Sequence, residues 1–353
     1  MVHSSDRLHS SVFLTGEFPP DRPAAPAFLT VPLSRLYGYW ADRYHRRFDP
    51  RRAYHADVPV ISVGNIAVGG TGKTPFVIAL AKLIGTLKPE WMESGKVVVL
   101  SRGYGRESRE MVEVESTFDY RETGDEPLLI KRSVPWVQVI VYGDRAVAAR
   151  QAVRKLGAKL LIIDDGFQHR RLARDLDIVL VDGPYPLGNG FHLPAGPLRE
   201  GKAALRRASV LVGVGDVSEQ TEQLAQEIGL SLFTATRVLH LAAELSTDLS
   251  TPVYVLTSIA RPDRFLNALV NMGVTIVGRK AYPDHHRFTE YDIHNVTKWA
   301  NQAGARLVIT TAKDAIRVPW RNNNLPLRIV EMDLEISPID KLKILLEPLL
   351  RDL

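Results

Sequence analysis

The segment SVGNIAVGGTGKTP at residues 62–75 constrains the fold of this 353-residue chain more than any other. It follows an apolar run that predicts a strand, and an apolar stretch with helical spacing comes after it. Glycines let backbone N–H groups approach phosphate oxygens closely, and the start of the following helix adds positive charge. Lys73 is suited to contact the β- and γ-phosphates of a nucleotide, and the Thr74 hydroxyl to bind Mg²⁺. The predicted nucleotide-binding residues are Gly69, Gly70, Thr71, Gly72, Lys73 and Thr74.

Two departures from common nucleotide-binding patterns refine this prediction. Ala67 stands five residues before Gly72, where the common P-loop has glycine, but three glycines of the loop remain. The segment TAKD at residues 311–314 resembles the guanine-reading pattern N-K-x-D without its asparagine, which disfavours GTP.

Short apolar runs alternate with helical stretches from residue 57 onward. Runs such as KVVVLS, VQVIVYG and DIVLVD are typical of strands buried on both faces. We therefore predict an α/β fold, with a P-loop NTPase-like, mostly parallel sheet and helices on both faces, in residues 53–235. A second set of runs begins near residue 251 and predicts a smaller C-terminal α/β lobe in residues 236–353.

The run KLLIIDD provides the acidic end of a buried strand. Asp164 and Asp165 follow four apolar residues, as in a Walker B strand. Adjacent carboxylates at this position are costly unless a cation or donor pairs with them, so both are predicted Mg²⁺ ligands.

The formal net charge is +5 and the pI is about 9.3, which suits a nucleotide, a nucleic acid or an acidic membrane surface. The arginines are dispersed and no nucleic-acid-binding motif is present, so a nucleic acid is not expected as a partner. Since the chain has no cysteine, disulfides, thiolate zinc sites and cysteine nucleophiles are excluded. The sequence contains no uncharged apolar run of about 18 residues, so no membrane-spanning helix is predicted.

The N-terminal region divides into two parts. Residues 1–27 lack periodicity and are interpreted as a flexible leader. Residues 28–52 predict a basic amphipathic helix that either packs its apolar stripe on the domain or lies in a membrane interface. The residues of that stripe are Leu33, Leu36, Tyr37, Trp40 and Tyr44.

Several motifs occur together in the order of one family. They are SVGNIAVGGTGKTP, SRGYGR (101–106), GDEP (124–127), VYGDR (141–145), DDGFQHRRLARD (164–175), GFHLPAGPLRE (190–200), PDHHRF (283–288) and TTAKD (310–314). Over residues 30–320 the chain resembles the tetraacyldisaccharide 4'-kinase family, the lipid A 4'-kinases of Gram-negative envelope biosynthesis. In that family, too, the P-loop lacks its first glycine.

The resemblance implies transfer of the γ-phosphate of ATP, with Mg²⁺, to the 4'-hydroxyl of a membrane-embedded, acylated glucosamine disaccharide 1-phosphate. It favours the interfacial interpretation of residues 28–52 and a peripheral location at the cytoplasmic face of the inner membrane. No protein partner is implied. A partition- or carrier-type ATPase without a lipid acceptor is the alternative, although its deviant loop K-G-G-x-G-K-T begins with a lysine where this chain has Val68.

Physical reasoning alone leaves Asp125 and the cluster Asp284-His285-His286 as candidates for the base. The family resemblance implies Asp125 as the catalytic base and His285, rather than His286, as its support, with Lys73 acting on the phosphates. It further implies Glu200 as a metal ligand beside Thr74, Asp164 and Asp165. Substrate-binding roles are predicted for Tyr104, Arg106, His169 and Arg199.

Overall fold

The computed structural model describes residue 24 and residues 26–93, 95–243, 248–321 and 323–351. The predicted leader, residues 1–27, therefore lies outside the described residues except at its C-terminal end.

The strands, in chain order, are β1 (Val60–Asn65), β2 (Val97–Ser101), β3 (Val112–Glu113), β4 (Gln138–Val141), β5 (Leu160–Asp164), β6 (Leu176–Asp182), β7 (Val210–Val214), β8 (Ser231–His240), β9 (Val253–Thr257), β10 (Ile276–Ala281), β11 (Leu307–Thr311) and β12 (Leu327–Ser337). The α-helices are α1 (Ala27–Arg46), α2 (Lys73–Leu87), α3 (Tyr120–Thr123), α4 (Asp125–Ser133), α5 (Arg145–Leu156), α6 (Glu219–Ile228), α7 (Pro262–Asn271), α8 (Glu290–Gln302), α9 (Ala312–Ala315) and α10 (Ile339–Leu346). Short 3-10 helices lie at Pro50–Arg52, Pro89–Met92, Lys202–Arg207 and Glu347–Leu349.

The chain forms two compact units. Of the described residues, the smaller unit comprises Val238–Asp333, and the larger comprises those up to Arg237 and again from Leu334. The sequence placed a boundary near residue 235 but assigned residues 236–353 to one lobe. The last segment instead joins the larger unit, where the carbonyl of Ser337 accepts a hydrogen bond from Thr234.

The sheet of the larger unit confirms the predicted α/β class. Its strand order is β8-β7-β6-β1-β5-β2-β4-β3. Neighbouring strands are parallel except that β3 is antiparallel to β4. Every residue of β1, β2, β4, β5, β6 and β7 is buried, which explains why their sequences are predominantly apolar.

Strand β1 marks the point where the order of strands reverses. It pairs with β5 on one side and β6 on the other. Parallel sheets bind ligands at such a point, beyond the carboxyl ends of the strands. The loop after β1 and the acidic end of β5 both lie at this edge.

The smaller unit has its own parallel arrangement, with strand order β10-β9-β11-β12. One apolar cluster includes Val255, Phe265 and Ile309, and a second includes Leu256 and Val296. The helices α7 and α8 contribute to different clusters, so both faces of this sheet carry a core.

Helix α1 confirms the predicted helix but ends at Arg46, short of the expected residue 52. Its buried residues are Thr30, Ser34 and Gly38, which recur every fourth position and share one face. Gly38 is required there because a Cβ would lie 2.7 Å from the imidazole of His192. The apolar and aromatic residues of α1 are therefore directed away from the body of the unit.

Among the described residues, no helix is both long enough and apolar enough to span a membrane.

Candidate active site

The phosphate-binding loop leads from β1 into α2. Gly72 is the N-cap of α2 with φ 87°, a left-handed conformation that favours glycine, and it has no side chain to cap the first N–H groups. Asn65 at the end of β1 donates a hydrogen bond to the Thr71 hydroxyl at 2.8 Å. The loop is thus anchored to the sheet while the start of α2 retains the donors that a phosphate requires.

The two acidic residues at the end of β5 have different environments. Asp164 is buried, its Oδ2 accepts a hydrogen bond from Ser101 at 3.3 Å, and its buried Oδ1 has no hydrogen-bond partner within the described chain. Burial raises the pKa of Asp164 to about 7, and the carboxylates of Glu126 and Asp165 act in the same direction. A buried carboxylate oxygen without a donor is a place where a cation would be stabilised.

Asp165, by contrast, already contacts cations. Lys73 Nζ lies 3.5 Å from its Oδ1, and Arg199 Nη1 lies 3.1 Å from its Oδ2. Burial opposes ionisation, but Lys73 and Arg199 outweigh it and hold the pKa of Asp165 below its usual range. The structure therefore brings together Lys73 of the loop, Asp165 of the acidic strand end and Arg199.

The residues present fit a magnesium ion. The described residues contain no cluster of three or more histidine, cysteine or carboxylate side chains that could hold a metal alone. Mg²⁺ does not need one, because it is commonly held by one or two carboxylates together with substrate phosphates and water. The Oδ1 atom of Asp164 is one oxygen ligand suited to Mg²⁺. The hydroxyl of Thr74, which lies in the first turn of α2, is another.

Glu200 is the remaining predicted metal ligand. It is buried, its Oε1 accepts a hydrogen bond from Gln168 at 3.0 Å, and its Oε2 accepts one from Arg207 at 2.8 Å. His45 of α1 lies 3.5 Å from the same Oε2. These contacts engage both oxygens with protein donors, and the role of Glu200 as a metal ligand stays a prediction.

Asp125 is the first residue of α4 and is buried. Gly124 before it has φ 88° and packs so closely that a Cβ would lie 3.1 Å from Gly103 Cα and from the Tyr104 carbonyl. The segment after β2 and the start of α4 are thus in contact at the carboxyl edge of the sheet. Asp125 is therefore a buried carboxyl group at a helix N-terminus, a position that favours negative charge, near the nucleotide loop's edge of the sheet.

The predicted substrate-binding residues have distinct surroundings. Tyr104 is exposed, whereas Arg106 has a buried Nη1 without a hydrogen-bond partner in the described part of the chain. Burial lowers the pKa of His169 to about 4, and the positive charge of Arg145 adds to the effect. His169 is therefore a neutral side chain at physiological pH.

Arg145 is a residue to which the sequence analysis gave no role. It is buried at the start of α5, its Nη1 donates to the Gly143 carbonyl at 2.8 Å, and its Nε has no hydrogen-bond partner among described atoms. Burial lowers its pKa, and Arg102 acts in the same direction. The available signal was its position in VYGDR, four residues beyond the carboxyl end of the buried strand β4.

His285 belongs to the smaller unit, in the turn that follows β10. Its φ is 59°, and its backbone N–H donates to Asp284 Oδ1 at 3.0 Å. Its Nε2 lies 3.3 Å from Lys313 Nζ. The neighbouring His286 instead stacks on Tyr282, with ring centroids 4.4 Å apart, and contacts Asp292 at 3.2 Å.

Three features lie at one edge of a parallel sheet: an uncapped helix start with its lysine, an acidic strand end and a buried carboxylate. Together they define a P-loop phosphotransferase. Comparisons with known proteins identify the family of phosphotransferases. The model of the tetraacyldisaccharide-1-phosphate 4'-kinase family matches residues 26–351, and the chain belongs to this family of kinases.

Individual relatives agree with this assignment. The chain is 36% identical over 321 residues to a tetraacyldisaccharide 4'-kinase of Syntrophus aciditrophicus, covering 83% of this chain and 84% of that protein. It is 41% identical over 302 residues to one from an Anaeromyxobacter species, covering 80% and 79%. A crystal structure of LpxK from Aquifex aeolicus in complex with ATP superimposes with a TM-score of 0.71 at 30% identity, over 91% of this chain and 98% of that one.

Proposed function

We propose that this chain transfers the γ-phosphate of ATP to the 4'-hydroxyl of an acylated glucosamine disaccharide 1-phosphate, a step of lipid A biosynthesis. The observation that carries the proposal is the arrangement of Lys73, Asp164 and Asp125 at one edge of the sheet, in a chain that matches the kinase family from residue 26 to 351. The match of the ATP-bound crystal structure supports ATP as the phosphate donor.

The chemistry is an in-line displacement on the γ-phosphorus. Asp125 accepts the proton of the 4'-hydroxyl, the hydroxyl oxygen bonds to phosphorus, and the bond from phosphorus to the β–γ bridging oxygen breaks to leave ADP. Phosphoryl transfer depends mainly on positioning and charge neutralisation, which Lys73 and Arg199 supply from the P-loop side. His285 is proposed to assist Asp125.

Magnesium, when bound, neutralises phosphate charge. Thr74 and Asp164 are the residues proposed to hold it, with Asp165 beside them as the partner of Lys73 and Arg199. Asp165 also orders these two cations before the nucleotide arrives.

Recognition of an anionic, hydroxyl-rich acceptor is proposed for the residues around this edge. Tyr104, Arg106 and Arg199 offer a ring and guanidinium groups, and the buried Nε of Arg145 adds a further donor. A neutral His169 provides one ring nitrogen as donor and the other as acceptor, which suits a sugar hydroxyl.

The acyl chains of the acceptor explain the unusual surface of α1. Phe28 is 84% exposed, Trp40 59% and Tyr44 75%, while the small polar residues of the helix are buried. Aromatic side chains on a basic helix favour the boundary between lipid head groups and acyl chains. We therefore propose peripheral association with the cytoplasmic face of the inner membrane through α1.

The test is incubation of the protein with Mg²⁺ and γ-labelled ATP, with and without the acylated disaccharide 1-phosphate in detergent micelles. Label in a lipid product, lost in Lys73→Ala, is expected. Phosphate released equally with and without lipid would contradict the proposal and favour a partition-type ATPase.

The roles of Asp125 and His285 are tested by kinetics. Asp125→Asn keeps the size of the side chain and removes the base, so kcat is expected to fall roughly 10²–10⁴-fold with little change in the KM for ATP. If His285 assists Asp125, His285→Ala will lower kcat much less in the Asp125→Asn background than in the wild type. Equal losses in both backgrounds would contradict the assistance.

A further inference from the structure

The TTAKD segment contains a fully buried aspartate with a structural role. Asp314 lies in α9, and its carboxylate accepts hydrogen bonds from the Thr257 hydroxyl (2.9 Å), from the backbone N–H (3.0 Å) and hydroxyl (2.8 Å) of Ser258, and from the hydroxyl of Thr311 (2.9 Å). Arg317 adds a buried ion pair at 2.7 Å. Asp314 thereby ties α9 to the carboxyl ends of β9 and β11, and it has no exposed surface with which to contact a nucleotide base.

Because α9 is anchored in this way, the backbone position of the neighbouring residue, Lys313, is fixed. Its Nζ lies 3.4 Å from Asp284 Oδ1 and 3.3 Å from His285 Nε2. The side chain of Lys313 is mostly buried, so the ammonium group is partly desolvated where it meets the turn. These two contacts are with the Asp-His pair of the PDHHRF motif.

The turn holds His285 in a left-handed backbone conformation, with φ 59°. A left-handed backbone is uncommon for histidine and persists only where the surroundings enforce it. Asp284 accepts from the His285 N–H on one side of the turn, and His286 is held by Tyr282 and Asp292 on the other. The backbone is therefore fixed, and the state of the His285 ring depends on what its nitrogens contact.

Lys313 constrains that state through elementary hydrogen-bond chemistry. The Asp284 Oδ2 also lies near Nε2, at 3.7 Å, but this is longer than a hydrogen bond, whereas Lys313 Nζ lies within hydrogen-bonding distance at 3.3 Å. An ammonium group donates and cannot accept, so in a hydrogen bond with Lys313 the Nε2 atom is the acceptor. In a neutral imidazole the proton then resides on Nδ1. Lys313 selects one of two tautomers and leaves Nδ1–H as the donor of the ring.

We propose that Lys313 is a positioning residue for the phosphoryl transfer, and that it acts by holding His285 in the Nδ1–H tautomer. The inference rests on the proposed function of His285 in assisting the base. A histidine that donates from Nδ1 is able to orient a carboxylate base and to stabilise the proton that the base takes up.

The first test reads the tautomer directly and does not depend on kinase activity. The full-length protein, labelled with ¹⁵N-histidine, is examined by NMR at about pH 8.5, where an ordinary imidazole is neutral. Ring nitrogens with and without a proton have well-separated ¹⁵N shifts, and His285→Gln assigns the signals. We expect the Nδ1–H form in the wild type and in Lys313→Arg, which keeps a donor, and a shift towards the Nε2–H form in Lys313→Met.

The second test measures the consequence for the reaction. Lys313→Met is expected to lower kcat with the acylated acceptor about tenfold, while the KM for ATP stays unchanged and Lys313→Arg restores part of the rate. Lys298→Met removes an exposed lysine of α8 in the same unit and controls for the loss of charge. Thermal melting of each variant shows whether the unit remains folded.

The outcomes separate this inference from the proposed function. An unchanged tautomer in Lys313→Met overturns the positioning role, and so does a changed tautomer with unchanged kcat. A wild-type protein that labels no lipid would refute the proposed function, but the tautomer measurement would still decide whether Lys313 sets the His285 ring.

Discussion

Helices α1 and α2 of the larger unit bury opposite kinds of side chain. α2 buries apolar residues such as Phe76 and Ile84 against the sheet, and its first residue is the lysine of the phosphate-binding loop. α1 buries Ser34 and exposes Phe28 and Trp40. An apolar stripe therefore identifies a helical face but does not show what that face contacts. The apolar face of α2 packs on the protein core, and under our proposal that of α1 contacts a lipid surface.

The largest effect is expected at the start of α2. Lys73→Ala removes the charge that pairs with Asp165 and faces the phosphates, so kcat should fall by on the order of 10³-fold. Lys82→Ala, which changes an exposed lysine of the same helix, should leave the rate near that of the wild type. Steady-state kinetics decide this, and near-normal turnover by Lys73→Ala would refute the role of α2 in the reaction.

The second expected effect contrasts the two helices in stability. Phe76→Ala creates a cavity in the core and should lower the free energy of unfolding by about 3–5 kcal/mol. Trp40→Ala truncates a side chain that is already exposed and should change it by less than about 0.5 kcal/mol. Denaturant titration provides both values. Similar losses in the two variants would show that α1 packs its aromatic face on the protein.

The third expected effect is on membrane binding. Burying one aromatic side chain in an apolar phase stabilises by about 1.5–3 kcal/mol, so removing two of them in Phe28→Ser with Trp40→Ser should weaken binding to anionic vesicles by at least about a hundredfold. Tyr291→Ser removes an exposed aromatic of α8 and is the control. Co-sedimentation measures the binding, while ATP affinity should stay constant. Unchanged sedimentation of the double variant would remove the interfacial role of α1.

The smallest expected effect concerns acid sensitivity. Burial, with Arg145 adding to it, holds the pKa of His169 at about 4, against about 6.5 for an exposed histidine. Between these values the unfolded chain binds more protons than the folded one, so stability falls as the pH drops from 6.5 towards 4. His169→Asn should melt with a shallower dependence on pH in this range, whereas His294→Asn on the surface of α8 should not. An unchanged slope in His169→Asn would contradict the burial of a neutral imidazole.

Features that are local in the sequence could be predicted from it. The strand, loop and helix around Lys73 are contiguous, and the acidic strand end at Asp164 follows its own apolar run. The parallel sheet followed from continuously apolar strands. Each of these depends on short-range periodicity and on the chemistry of a few adjacent residues.

Features that depend on contacts between distant segments could not be predicted. Glu200 has a carboxylate suited to metal, but Gln168 and Arg207 occupy its oxygens. Arg145 gained significance only when the sheet placed the carboxyl end of β4 at the same edge as the nucleotide loop, with β2 and β5 between β4 and β1. The role proposed for Lys313 depends on a turn 29 residues earlier in the chain.

The face that α1 buries is a further feature that the sequence alone could not decide. Periodicity placed its aromatic residues on one face and by itself favoured core packing, and only the family resemblance favoured a membrane interface. The burial of Thr30, Ser34 and Gly38 shows that this face, and not the aromatic one, packs on the described part of the larger unit, and the interfacial role of the aromatic face is our proposal.

The most direct test of the account compares two acceptors that differ only in the 4'-hydroxyl. Wild-type protein is given Mg²⁺, ATP and either the acylated disaccharide 1-phosphate or its 4'-deoxy analogue, and ADP and lipid product are quantified together. The account predicts one ADP for each lipid phosphorylated with the hydroxyl acceptor, and only background ADP with the deoxy analogue. Equal ADP formation with both acceptors would contradict it.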